Sequence, residues 1–307
     1  MPDKTDVHNS RSRDSQSDPM QPGRRPWRRL FSVVVRAAAI GYVAVMLLLV
    51  LLESRLVYPG AYMDIPPQPT EGIVTVKFQS ADGTGLTGQL CEREGATETV
   101  LFLHGNGITA AREAPHIAWL SQELNANVFC GEYRGFDGLP GSPHEQGLIE
   151  DSLAARDVLC ERYQLAPGEI VVYGQSLGGG CASAVVASGG AKLLILDRTF
   201  SRAVDVGAEQ FWFLPIRWLM RNQFDSIARI AKYRGPLIQV HGTADEIIPI
   251  HHAKLLHHAA SCDPKHWIEV AAMRHNDSMP PSAWKKCKVK ILESLEKTTP
   301  SPTTLTP

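Results

Sequence analysis

The chain has 307 residues, with 31 Lys plus Arg against 32 Asp plus Glu, and a formal net charge of −1. That length suits one large α/β domain or two small ones. The near-even charge gives no whole-molecule attraction to nucleic acid or another polyanion, so no nucleic-acid partner is expected.

Residues 1–29 are polar, rich in Ser, Asp, Arg and Pro, and lack a hydrophobic period. They are expected to be disordered. Residues 30–52 read LFSVVVRAAAIGYVAVMLLLVLL, with Arg36 as the one charge. About 20 apolar residues suffice to cross a bilayer as a helix, and an arginine near the end can snorkel to the headgroups. A buried core helix conflicts with the lack of an amphipathic pattern. A cleaved signal peptide conflicts with the length of the run and with ESRLVYPG, which has no small-x-small cleavage site. The run therefore reads as an uncleaved anchor. Arg24, Arg25, Arg28 and Arg29 precede it, so the positive-inside rule keeps the N-terminus cytoplasmic and puts the rest of the chain outside, in a periplasm or beyond.

Residues 53–72 form a Pro-rich connector (Pro59, Pro66, Pro67, Pro69). From there to residue 297 short apolar runs alternate with helical stretches. Residues 73–79 and 86–91 flank Ala-Asp-Gly-Thr-Gly and read as a hairpin. Strands are expected at 99–103, 127–131, 169–173, 192–196, 236–240 and 266–270. Helices are expected at 110–124, 148–163 and 282–295. This alternation implies a mostly parallel sheet with helices on both faces. The tail, 298–307, is expected to be disordered.

Of six cysteines, Cys130 and Cys181 sit among apolar neighbours and read as buried small hydrophobes. Cys91, Cys160, Cys262 and Cys287 could pair in an oxidising compartment. None forms a CxxC pair, which argues against a zinc or thioredoxin-type site.

The strongest chemical signal is Gly174-Gln175-Ser176-Leu177-Gly178, a G-x-S-x-G pattern directly after a strand and directly before a helix. A sharp strand-to-helix turn there lifts Ser176 clear of the backbone. It also sets the serine at a helix N-terminus, where negative charge is favoured. A serine hydroxyl needs a base, and His275 lies in a loop after the last strand. The base needs an acid to fix its tautomer. Asp245, just past the strand at 236–240, fits the order Ser…Asp…His. Asp197 and Asp277 are its rivals. The oxyanion would be held by the backbone N–H of Leu177 and a second amide in His104-Gly105-Asn106-Gly107. Asn106 is the preferred donor there, with Gly107 or Gly105 as alternatives. His104, at a strand end, reads as structural.

Together these residues resemble the α/β-hydrolase superfamily, and within it the membrane-anchored, Bem46-like branch. The likeness is carried by LVYPGAYM, FLHGNG, EYRGFDGLPGSP, YGQSLGGG, LDRTFS, VHGTADEIIP and RHNDS. Two departures touch the rim of the site. The loop after the strand at 127–131 reads Tyr133-Arg134-Gly135-Phe136-Asp137-Gly138-Leu139 where Y-R-G-Y-G-x-S is usual. Arg274 also precedes the base where glycine is usual.

In this fold the stretch at about 200–233 commonly forms a cap. Its Phe211, Trp212, Phe213, Trp218, Leu219 and Met220 read as core packing of a cap helix, or as an apolar wall for an acyl group. His251, His252, His257 and His258 lack the i, i+4 spacing of a two-histidine metal site and read as a solvated helix face. The expected function is a serine hydrolase that cleaves esters, thioesters or amides of a small-molecule or acylated substrate, with no metal or organic cofactor. A serine aminopeptidase-like peptidase and a non-catalytic binding protein on the same fold are the alternatives.

Overall fold

The structure, a computed structural model, describes residues 26–298. Most of the segment expected to be disordered at the N-terminus, and nearly all of the tail, lie outside the described residues. The described chain divides into two units, one ending at Leu48 and one starting at Leu49. The first consists of most of α1 (Pro26–Leu51), a single uninterrupted helix. Residues Trp27–Leu51 are long and apolar enough to cross a membrane, with mean hydropathy 2.4.

The second unit is built on an eight-stranded sheet. Its strands are β1 (Ile73–Gln79), β2 (Gly85–Cys91), β3 (Glu98–Leu103), β4 (Ala126–Gly131), β5 (Val171–Gln175), β6 (Leu193–Asp197), β7 (Leu237–Gly242) and β8 (Lys265–Val270). The order across the sheet is β1-β2-β4-β3-β5-β6-β7-β8. β1, β2 and β4 pair antiparallel, and every neighbour from β4 to β8 is parallel. The expected hairpin leading into a parallel sheet is present.

Helices cover both faces. On one lie α3 (Ala114–Leu124) and α10 (Pro281–Thr298). In α10 the buried Trp284, Cys287, Ile291 and Leu295 recur at helical spacing. On the other lie α4 (Glu145–Tyr163), α5 (Leu177–Gly189), α8 (Ser226–Ile230) and α9 (Ile250–Ala259). The central strands are accordingly apolar throughout: Val100, Leu101, Phe102 and Leu103 of β3 are all fully buried.

Several boundaries differ from the sequence expectation for identifiable reasons. α3 begins at Ala114 and not at 110, because Pro115 fits only the first turn of a helix and Thr109–Glu113 close a separate turn before it. β5 starts two residues later than expected, since Pro167–Glu169 form a 3-10 turn. The Pro-rich connector is not a passive linker. It opens with α2 (Glu53–Val57) and a 3-10 turn at Pro59–Tyr62, and Tyr58 is fully buried in the core. All six cysteines are free, so the pairing left open for Cys91, Cys160, Cys262 and Cys287 is not made. Cys130 and Cys181 are buried as expected.

Candidate active site

The site forms where β5, β7 and β8 end. Ser176 follows β5 with φ 51° and ψ −116°, outside the regions open to ordinary L-residues. The strain is held by tight packing. A Cβ on Gly178 would lie 2.0 Å from the Leu103 carbonyl oxygen, and one on Gly174 would lie 2.5 Å from the Gly178 oxygen. Only glycine lets strand, turn and helix approach this closely. Backbone bonds fix the turn further. Ser176 N–H donates to the Asp197 carbonyl at 2.9 Å, and the Thr199 hydroxyl donates to the Ser176 carbonyl at 2.8 Å.

The Ser176 Oγ lies 2.9 Å from His275 Nε2. His275 Nδ1 in turn lies 2.8 Å from Asp245 Oδ2. The other carboxylate oxygen of Asp245 accepts the backbone N–H groups of Ile247 and Ile248, at 3.1 and 2.7 Å. Burial alone would raise the Asp245 pKa. The bonds from His275 and Ile248 outweigh it and hold the carboxyl below its ordinary range. Asp245 is thus an ionised acceptor facing the imidazole.

The rival acids are committed elsewhere. Asp197 is bound by both arms of the Arg198 guanidinium, at 2.8 and 3.0 Å, and by the Tyr173 hydroxyl at 3.3 Å. Asp277 accepts the Arg274 N–H at 2.8 Å. Arg198 does more than neutralise Asp197. Its Nη1 donates to the backbone carbonyls of His275 and Asp277, at 2.7 and 2.6 Å, tying the loop of the imidazole to the end of β6. LDRTFS placed an arginine there, but no local rule assigns it a distant loop.

Leu177 is the first residue of α5, so its N–H is among the helix donors without an intrahelical acceptor. The loop after β3 lies alongside, with a Cβ on Gly105 reaching within 3.5 Å of the Ser176 Cβ. Asn106 is anchored from outside the loop, its amide donating to the Val57 carbonyl at 2.6 Å. A Cβ on Gly60 would lie 1.8 Å from the Asn106 carbonyl oxygen, so the turn after α2 packs directly on this loop. His104 is fully buried and bridges the Gly105 carbonyl to Glu132 at 2.8 and 2.9 Å. Burial would lower its pKa, but the Glu132 carboxylate outweighs that and raises it. Glu132 also accepts the Ala110 N–H, so the EYRGFDG loop braces the loop after β3. Its Arg134 is buried against Asp151 and reaches Asp82.

Sequence reasoning missed His241. It is buried at the end of β7, donates through Nε2 to the Ile248 carbonyl at 2.8 Å and lies 3.3 Å from Asp245. Burial lowers its pKa and keeps it neutral beside the acid. The histidine cluster also departs from expectation. His252 is buried, not solvated, and Glu209 from α6 (Ala203–Gln210) accepts from both His251 and His252, at 2.8 and 3.1 Å. The expected cap shrinks as well. α8 packs into the helical layer against α5, leaving α6 and α7 (Ile216–Leu219) as the projecting part. Phe211, Trp212, Phe213 and Trp218 are exposed, which overturns their reading as core.

No family model matches the chain. It is 32% identical over 216 residues to protein YfhR of Escherichia coli O157:H7, a match covering 66% of this chain and 74% of that protein. It is 29% identical over 262 residues to the α/β hydrolase domain-containing protein WAV2 of Arabidopsis thaliana, covering 77% and 85%. The structure of the Pyrococcus furiosus esterase Pf2001 superposes with a TM-score of 0.62 at 18% identity, covering 76% of this chain and 96% of that one. Sheet order, elbow and superposition together define an α/β-hydrolase fold. The chain belongs to the same family as YfhR, and its fold is that of the α/β hydrolases.

Proposed function

We propose that this chain is a serine hydrolase, tethered to a membrane by α1, that cleaves carboxylic esters or thioesters through an acyl-enzyme. The observation that carries this reading is the unbroken line of contacts from Asp245 through His275 to Ser176, at 2.8 and 2.9 Å, beneath a strained elbow. The esterase named among the structural neighbours supports an ester over an amide.

Ser176 Oγ attacks the acyl carbon and its proton passes to His275 Nε2. The imidazolium that forms is stabilised by Asp245 through the Nδ1–H bond. The negative charge on the former carbonyl oxygen is met by the N–H groups of Leu177 and Asn106. His275 then protonates the leaving oxygen or sulfur, and the acyl group remains on Ser176. A water molecule, deprotonated by the same nitrogen, attacks the ester and restores the hydroxyl. These groups and water account for every proton and electron pair, so the scheme calls on no cofactor.

A fluorophosphonate probe tests it. The full chain in detergent should be labelled at Ser176, and Ser176→Ala should abolish labelling. Labelling that survives the substitution, or a folded parent that never reacts, would sink the reading. The tether has its own test. In spheroplasts, added protease should reach the part after residue 52 while an N-terminal tag stays protected and membrane-bound after carbonate washing. Loss of the tag would mean a signal peptide, and a protected catalytic unit would mean the opposite orientation.

A further inference from the structure

The projecting tip at residues 211–221 reads FWFLPIRWLMR, with four aromatic residues, two arginines and no acid. Trp212 is 82% exposed and Trp218 is 91% exposed. A soluble surface rarely spends tryptophan this way. An aromatic ring with a polar edge, flanked by arginine, is the chemistry favoured in the headgroup layer of a bilayer.

The tip is fastened to the last turn of the candidate span and to the chain just beyond it. The Arg221 guanidinium donates to the Val50 carbonyl at 3.2 Å and to Glu53 at 3.1 Å. Glu53 is buried and also accepts the backbone N–H groups of Arg221 and Asn222, at 2.6 and 3.0 Å. Asn222 is bonded in turn by the Tyr58 hydroxyl at 2.8 Å. Trp218 lies three positions before Arg221, a reach of at most about 11 Å. The headgroup layer is roughly 6 Å deep on each side of the hydrocarbon. An α1 that ends its crossing at Leu51 therefore leaves the tip within reach of that layer. Leu56 in α2, and Tyr62 and Met63 just after it, are exposed apolar neighbours of the same attachment in sequence.

The same two elements bound the Ser176 site. Val57 holds Asn106 on one side. On the other, Gln210 at the end of α6 donates to the Ile247 carbonyl at 2.8 Å, two residues past Asp245.

We propose that the aromatic tip inserts into the headgroup layer of the bilayer that α1 crosses, so that the Ser176 site takes acyl esters from the lipid phase. The docking stands on the tip and its attachment, whereas the substrate class rests on the proposed function. The occupant is a phospholipid surface, because the attachment ties the tip to the end of a candidate membrane span and the tip exposes four aromatic side chains there.

The full chain, in a Trp27→Phe background, is reconstituted into phosphatidylcholine vesicles whose acyl chains carry bromine near the headgroup. Tryptophan emission should be strongly quenched, and Trp212→Phe with Trp218→Phe should remove most of that quenching. Quenching untouched by the pair, or emission from the two residues that aqueous iodide quenches freely, overturns the docking. Cysteines at both positions that crosslink two copies without lipid quenching also overturn it and assign the face to a dimer. Delivery is read as the rate on umbelliferyl oleate dissolved in the vesicles relative to p-nitrophenyl acetate in water. Trp212→Ser with Trp218→Ser should lower that ratio by about tenfold. An unchanged ratio overturns delivery from the lipid phase. A parent inactive on both substrates refutes the hydrolase reading and leaves the quenching result to decide docking on its own.

Discussion

Two regions of the molecule are made in opposite ways. The strand ends of β5, β6, β7 and β8 hold their side chains by burial and short bonds, and even the carbonyls of the His275 loop are held by Arg198. The tip at residues 211–221 has four exposed aromatics and depends on one buried carboxylate, Glu53, for its attachment. The first region is organised around the contacts that join Asp245, His275 and Ser176. The second is organised around whatever surface lies next to it, and its shape is set by a segment more than 150 positions earlier in the chain. A site can therefore be rigid where chemistry happens and unfinished where its surroundings begin.

The largest expected effect lies in the first region. Ser176→Ala or His275→Ala should lower kcat by about four to six orders of magnitude with the fold intact, as in triads of this geometry. Ester turnover measured beside circular dichroism checks this. A folded variant with ordinary activity would remove the rigid half of the contrast altogether.

Asp245→Asn and Asp197→Asn divide that region into chemistry and support. Asp245→Asn keeps the size but presents an amide to His275 Nδ1 and favours the wrong tautomer. We expect a loss in kcat of about ten-thousandfold with little change in thermal midpoint. Asp197→Asn should act mainly on stability, costing about 3 kcal/mol by leaving the Arg198 guanidinium buried without its counter-charge. Urea denaturation with steady-state kinetics separates the two. A greater kcat loss from Asp197→Asn would exchange the roles of the two carboxylates.

Glu53→Gln probes the second region. It replaces a carboxylate that accepts from Arg221 and Asn222 by a neutral amide, and should cost about 1–3 kcal/mol. The damage should be local. Limited proteolysis should cut the tip first while labelling of Ser176 persists, and global loss of labelling would mean that the two regions are one cooperative unit.

The contrast also explains what could be read from the chain. Strand–elbow–helix patterning is local, so the turn at Ser176 was legible from its immediate neighbours, and the order of Ser176, Asp245 and His275 is the one expected for this fold. The structure brings those three together, and sets the loop that holds Asn106 beside Ser176. Arg198, His241 and the support of Asn106 by Val57 were not legible, because each is a contact between segments far apart in sequence. The aromatics at 211–218 misled for a related reason. Composition marks a residue as apolar, but only tertiary structure shows whether protein covers it. Glu209 makes the same point, since spacing within α9 could not reveal a carboxylate from α6.

The smallest expected effect concerns pH and tests whether the core region is tuned away from the catalytic residues. His116 and His257 are both held at about 4, against an ordinary value of 6.5. Burial is the leading cause in each. At His116 the nearby Asp197 opposes it while Arg198 adds to it, and at His257 the neighbours Lys265, His258 and His266 add to it. A histidine whose pKa is lower folded than unfolded binds protons more readily in the unfolded chain. Its contribution is complete above pH 6.5, falls as the pH drops, and is gone below about 4. His104, raised by Glu132, works in the opposite sense, so the parent shows only the net response. The variant comparison isolates the two residues. His116→Phe keeps a ring packed against Phe102 and Trp119, and His257→Phe keeps one against Trp267. Urea midpoints measured from neutral pH down to about 4 should decline less steeply in the double variant than in the parent. An identical slope would mean that both imidazoles titrate freely in the folded protein.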